Sequence, residues 1–138
     1  MTAKELLEYE LYRVGKQLEI VVSGLDESQF DVKDTDFSMS ARETLAHLCE
    51  AYTAFIAISR GQKYAWGSYQ PTDTHRDALL NEWTNLRDAA VEAALTGDGE
   101  RNKLAYDYMV GHDNYHVGQL AHIRMAAQPD WDSNDLYA

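Results

Sequence analysis

Two histidines, His112 and His116, stand four residues apart in the stretch Tyr-Asp-Tyr-Met-Val-Gly-His-Asp-Asn-Tyr-His-Val-Gly-Gln-Leu-Ala-His-Ile that runs from Tyr106 to Ile123. A helix advances about 100° per residue, so positions four apart share one face. The apolar seam here is Ala105, Met109, His112, His116, Leu120 and Ile123. Both imidazoles thus sit where a core-facing helix carries Leu or Ile. Upstream, His47 holds a similar place on a seam of Thr44, His47 with Leu48, Ala51, Phe55 and Ile58. If the two seams face one interior, three nitrogen donors converge from two helices. Donors of this kind, at about 2.0–2.1 Å, suit a divalent transition metal and leave positions open for water or substrate. A metal there would polarise a bound group or lower the pKa of a bound water or thiol. The competing reading is a set of core histidines bonded to Tyr or carboxylate groups, and spacing alone leaves both standing.

A di-iron carboxylate centre is disfavoured. It needs Glu-x-x-His on two helices, whereas Glu43 lies four residues before His47 and no Glu-x-x-His occurs. The other histidines point elsewhere. His122 is ten residues past His112, about 80° off its face, which suggests exposure or a subunit contact. His75 falls in the first turn of a helix, a surface position. Cys49 is about 200° around from His47 and reads as a small buried hydrophobe rather than a nucleophile. Gln119 shares the His112 face and reads either as an outer partner to a ligand or as polar core. Gly118 reads as a close-approach residue or as one without a role. Asp113 and Tyr115 read as ligand-orienting or solvent-facing. No catalytic residue is assigned. Tyr64, Trp66 and Tyr106 are candidates for pocket walls.

These side chains need helices to hold them. Thr2 and Glu5 form a capping box before a seam of Leu7, Leu11, Val14, Leu18 and Val21, and Gly24 is a left-handed C-cap candidate. The first helix is therefore expected over 3–23. Residues 25–39 carry five acidic groups and no sustained period, with Phe30 and Phe37 as expected apolar anchors. Ser40 and Glu43 form a second capping box, and Arg60-Gly61 closes that helix. Residues 61–73 form a loop rich in Tyr and Trp, expected to cover a core end or line a pocket. Asp73 or Thr74 is the expected cap of a third helix with the seam Leu79, Trp83, Leu86, Ala90, Ala93, ended by Thr96-Gly97-Asp98-Gly99. The fourth helix is expected from Arg101 to Ala127, with Pro129 beyond it. The acidic, aromatic tail from Trp131 to Ala138 is expected to fold back on the bundle. Four amphipathic helices without a strand pattern imply an all-α four-helix bundle, one domain over 1–138.

Composition removes several functions. Twelve Lys and Arg against 23 Asp and Glu give a formal charge of −11, which repels nucleic acid and anionic membranes. A single cysteine excludes an internal disulfide and a cysteine-based zinc finger. The first residues lack a basic and apolar leader pattern, and no run of about eighteen apolar residues is present to span a bilayer. The expectation is a cytoplasmic protein acting on a small-molecule substrate, with no nucleic-acid or membrane partner. A homodimer is an arrangement this reading allows.

The stretch His112-x-x-x-His116-x-Gly118-Gln119-Leu120, with Ser40-x-x-Glu43-x-x-x-His47-Leu48 upstream, resembles the DinB-like (DinB/YfiT) metalloprotein superfamily. Arg124 and the Pro-Asp-Trp-Asp tail are similar too. The resemblance covers nearly the whole chain. It implies a DinB-type four-helix bundle whose three histidine ligands map onto His47, His112 and His116. It also implies metal-dependent transferase or hydrolase chemistry; three imidazoles accept Zn, Ni, Mn or Fe as the divalent metal. In thiol-dependent relatives a low-molecular-weight thiol is activated by the metal. A metal-binding stress-response protein without turnover is the alternative.

Overall fold

The computed structural model describes residues 1–138 and is built from helices alone. α1 spans Ala3–Ser23 and is entered through the reciprocal capping box, with Glu5 N donating to Thr2 Oγ1 at 3.1 Å and Thr2 N to Glu5 Oε2 at 2.6 Å. All five expected seam residues of α1 are buried. Gly24 differs from expectation: its φ of −81° is right-handed. The Arg124 guanidinium instead occupies the space that a Cβ would take at this position. α2 spans Ala41–Ser59 behind the Ser40/Glu43 box, and Gly61, at φ +77°, supplies the left-handed residue that follows.

Between α1 and α2, Phe30 is fully buried, with the guanidinium groups of Arg42 and Arg76 5.5 and 5.8 Å from its ring centroid. Phe37, the second expected anchor, is fully exposed. It rides on a small turn closed by Thr35 N donating to Ser38 Oγ, and never reaches the core.

α3 spans Arg76–Leu95. Neither Asp73 nor Thr74 caps it. His75 holds the cap position without a side-chain bond, and the Arg76 amide donates instead to Glu27 Oε2 at 2.6 Å. The orphan amide is thus met by a carboxylate distant in sequence. The buried face also differs from the expected seam: Leu79, Trp83, Arg87, Ala90 and Ala94 are buried, while Leu86 and Ala93 are partly exposed. A charged residue at position 87 concealed the true stripe.

The last long helix comes in three pieces. α4 spans Gly99–Ala105 and is capped by Asp98; a π-helical turn follows over Tyr106–Gly111; α5 spans His112–Ala127. The expected start at Arg101 thus falls two residues inside it. The tail folds back as expected, with Gln17 Nε2 donating to Leu136 O at 3.2 Å and the Arg124 guanidinium 4.6 Å over Trp131. The long helices pack as a bundle, α2 chiefly against α3 and α1 against α5, around one continuous core. No helix is long and apolar enough to cross a membrane.

One polar node lies inside that core. Asp113, fully buried, accepts from Tyr52 Oη at 3.0 Å and from Arg87 Nε and Nη2, each at 3.2 Å. Arg87 Nη2 also donates to Leu11 O at 2.8 Å, and Trp83 Nε1 to Tyr52 Oη at 3.2 Å. Gly15 lies under the guanidinium, where a Cβ would collide with it. Every group in the node answers another, as burial demands. Asp113→Ala would leave Arg87 without its counter-charge and is expected to cost about 3–5 kcal/mol in urea unfolding. The Asp113→Leu/Arg87→Met pair should recover most of that. A loss below about 1 kcal/mol for the single change would show that the pair does not hold the bundle together.

Candidate metal centre

Each histidine reaches the site because of how its helix is held. His47 stands seven residues past the Ser40 cap, so the capping box sets its height along α2. His112 opens α5 where the π turn ends, and His116 follows one α-helical turn later. A π turn inserts a residue into the helical repeat and is frequent at functional sites. Asp113 lies between the two histidines in sequence, so the buried node fixes this stretch of α5 against α2 and α3.

The three imidazoles meet at their Nε2 edges. His112 Nε2 is 3.0 Å from His47 Nε2 and 3.0 Å from His116 Nε2. The rings stand nearly edge to face, with centroids 4.5–5.1 Å apart. The ligand atoms of all three lie within 4.8 Å of one another and could hold a metal ion. Separations near 3 Å are what donors about 2.0–2.1 Å from a shared ion display. Three imidazoles turned inward on one another have one Nε2, that of His112, sharing two contacts. A neutral imidazole offers one N–H, so a cation at the centre would satisfy lone pairs that the rings cannot satisfy mutually.

Electrostatics favours the neutral, ligating form. Burial, then the neighbouring His112 and His47, push the His116 imidazole down to about 4, with Gln119 opposing. Burial and the nearness of His47 lower His112 too. At neutral pH both therefore carry free lone pairs rather than protons. Asp113 is raised by burial to about 6, with Arg87 and Tyr52 pulling it down; at pH 7 it is ionised.

Two buried polar atoms lack a well-aligned partner beside the site, His116 Nδ1 and Gln119 Oε1. They belong to residues one turn apart on α5. The Gln119 amide nitrogen is engaged, donating to Tyr115 Oη at 2.9 Å. That bond orients the amide and leaves its oxygen as an acceptor for an Nδ1–H. Ligating histidines commonly carry such an outer partner, which holds Nε2 as the ligating atom. Tyr115 is mostly exposed, its ring edge against His116 at 5.1 Å. Asp113 does not face solvent; fully buried, it acts on the histidines only through α5, bonded to Tyr52 and Arg87 rather than to an imidazole.

A cavity of about 220 Å³ opens at the site, lined by His47, Ala51, Trp66, Asp107, Tyr108 and His112. Trp66 is a wall, as expected. Tyr64 lies behind it, edge-on at 5.3 Å, with its hydroxyl donating to Glu50 Oε2 at 2.9 Å. Tyr106 is half exposed and does not line this cavity. Tyr108 takes that place, stacked on Trp66 with 14° between the planes. Its signal was present in the sequence, since Tyr108 precedes His112 by the same four residues that separate His112 from His116. Glu50 and Asp107 gave no such signal. Glu50 anchors the aromatic loop, accepting on one oxygen from Tyr64 Oη and from the Gly67 and Tyr69 amides at 2.9–3.0 Å. Desolvation raises its pKa, but these bonds, with His47 nearby, outweigh it and lower the carboxyl.

The remaining candidates lie outside the cluster. His122 is exposed, and His75 is exposed and paired with Asp73 at 2.7 Å. Cys49 is buried, its thiol pushed up to about 12 by desolvation. Gly118 faces open space, so no close helix approach depends on it.

Comparison of the chain with protein-family models, with curated proteins and with solved structures finds no match.

Nitrogen-detected NMR of the metal-free protein should show His116 titrating near pH 4 rather than near its ordinary value of 6.5. A midpoint at or above 6 would contradict the buried, neutral imidazole. Gln119→Leu should weaken metal binding about 10- to 100-fold while leaving the unfolding midpoint little changed. An unaltered dissociation constant would remove Gln119 from the site.

Proposed function

We propose that His47, His112 and His116 hold a divalent transition metal, in a DinB-like (DinB/YfiT) bundle. On this reading the chain is a metal-dependent enzyme of the thiol-dependent transferase or hydrolase class. The observation that carries the metal site is the convergence of three Nε2 atoms from α2 and α5, two of the separations being 3.0 Å; the enzyme class rests on the resemblance. Zn, Ni, Mn and Fe all accept three imidazoles, and geometry at the protein does not choose among them.

A bound metal would supply a Lewis acid and lower the pKa of a water or low-molecular-weight thiol placed on it. The chain's own residues supply the rest. His112 and His116 arrive neutral, so binding need not first expel protons from them at pH 7. The Tyr52–Asp113–Arg87 node keeps α5 in register, so the ligands are positioned before a metal arrives. Trp66 and Tyr108 shield one side of the cavity from water, which strengthens any charge interaction inside it.

Protein purified without added metal is expected to carry close to one equivalent by elemental analysis. His47→Ala and His116→Ala should each reduce this to a small fraction. Content unaffected by either change would sink the ligand assignment. Thiol transfer to electrophiles and ester or amide hydrolysis, screened with metal restored, divides an enzyme from a metal-binding protein without turnover. Turnover that survives the histidine changes would remove the metal from the reaction.

A further inference from the structure

The cavity over the histidines has a one-sided electrostatic character. Of its six lining residues, Trp66 and Tyr108 present ring surface, His47 and His112 belong to the ligand cluster, and Ala51 is apolar. Asp107 is the only lining residue with a full negative charge, and no Lys or Arg lines the cavity. The wall is firmly placed. Trp66 stacks on Tyr108, Tyr64 braces Trp66 edge-on, and Glu50 ties the loop to α2 one turn beyond His47. Gly67 belongs to this arrangement: its φ of +89°, open only to glycine at little cost, presents its amide to Glu50.

Ring faces of Trp and Tyr carry negative electrostatic potential and attract cations. A carboxylate on the rim adds to that, and the chain as a whole carries a formal −11. An anionic substrate entering this cavity would meet no compensating cation other than a metal at its floor. An ammonium group would meet both Asp107 and the aromatic surface that Trp66 and Tyr108 leave open to the cavity. The volume is about 220 Å³. That is room for a small molecule or for one arm of a larger one.

We propose that this cavity selects small amine-bearing substrates. The cationic end would be held by Asp107 against Trp66 and Tyr108, and the metal-binding end directed at the histidine cluster. Anionic analogues are rejected. This rests on the reading of His47, His112 and His116 as a metal site, and it narrows the thiols and electrophiles that site would accept.

The test uses the cobalt-loaded protein and three small thiols of similar size but different charge. These are cysteamine, 2-mercaptoethanol and 3-mercaptopropionate. Thiolate binding is followed by the sulfur-to-cobalt absorption in the near ultraviolet, with affinities expressed per thiolate. Salt near 0.15 M limits the influence of distant charges, because the Debye length there is about 8 Å. Cysteamine is expected to bind about tenfold tighter than 3-mercaptopropionate, with 2-mercaptoethanol between them. Asp107→Asn should shrink that gap to about threefold or less, and Trp66→Ala should weaken cysteamine more than 2-mercaptoethanol. Equal affinities, a preference for the anion, or a gap unmoved by Asp107→Asn would overturn the proposal while leaving the metal site standing. One equivalent of cobalt with no spectral response to any thiol would overturn it too. Failure to take up cobalt would overturn the metal reading beneath it.

Discussion

A carboxylate with no access to solvent joins the four long helices at one point. Asp113 of α5 takes hydrogen bonds from Tyr52 of α2 and Arg87 of α3, and Arg87 reaches on to the Leu11 carbonyl of α1. A charge in the interior is tolerated only when paired and fully bonded, so this contact admits few alternative arrangements. Hydrophobic packing between helices is non-directional and would permit small slides and rotations. The node is directional. It sets the rotation of α5 within one residue of His112, and Gly15 is required so that the guanidinium can lie against α1.

The geometry of the three histidines follows from that constraint together with the π turn. Four residues apart on a helix places two rings on one face, but it does not say which way that face looks. The node and the widened turn before His112 decide it. They bring His112 and His116 to His47 across the α2–α5 interface. The same turn carries Asp107 and Tyr108 to the cavity rim. Backbone irregularity and chemistry thus occupy the same short segment.

Around the site, burial and charge act in opposite senses on different groups. Desolvation holds His116 neutral and so ready to ligate, while it raises Asp113, which stays ionised at neutral pH because Arg87 and Tyr52 oppose the rise. Outside, the rim is acidic and aromatic. The interior therefore favours a cation at the histidine cluster, and the rim favours a cation at the entrance. Both tendencies have the same sign as the formal charge of −11.

Much of this was legible in the chain itself, wherever the controlling interaction is local. The Thr2/Glu5 and Ser40/Glu43 capping boxes, the α1 seam and the i,i+4 histidine pair depend only on neighbours in sequence, and each lies where expected. So does the burial of Cys49 and the exposure of His75. Features governed by partners far along the chain were not legible. Glu27 caps α3 from roughly fifty residues away in sequence, where Asp73 or Thr74 was expected. Arg87 hid the α3 stripe because a charged residue reads as solvent-facing until its buried partner is known. Phe37 read as an anchor, yet nothing in three dimensions comes to meet it. The sequence by itself determined where the long helices fall, to within a few residues, and which histidines share a face, because helical periodicity is a short-range property. Only the tertiary structure decided that those faces meet, and that Tyr108 rather than Tyr106 walls the cavity, because those outcomes rest on contacts between segments the chain keeps far apart.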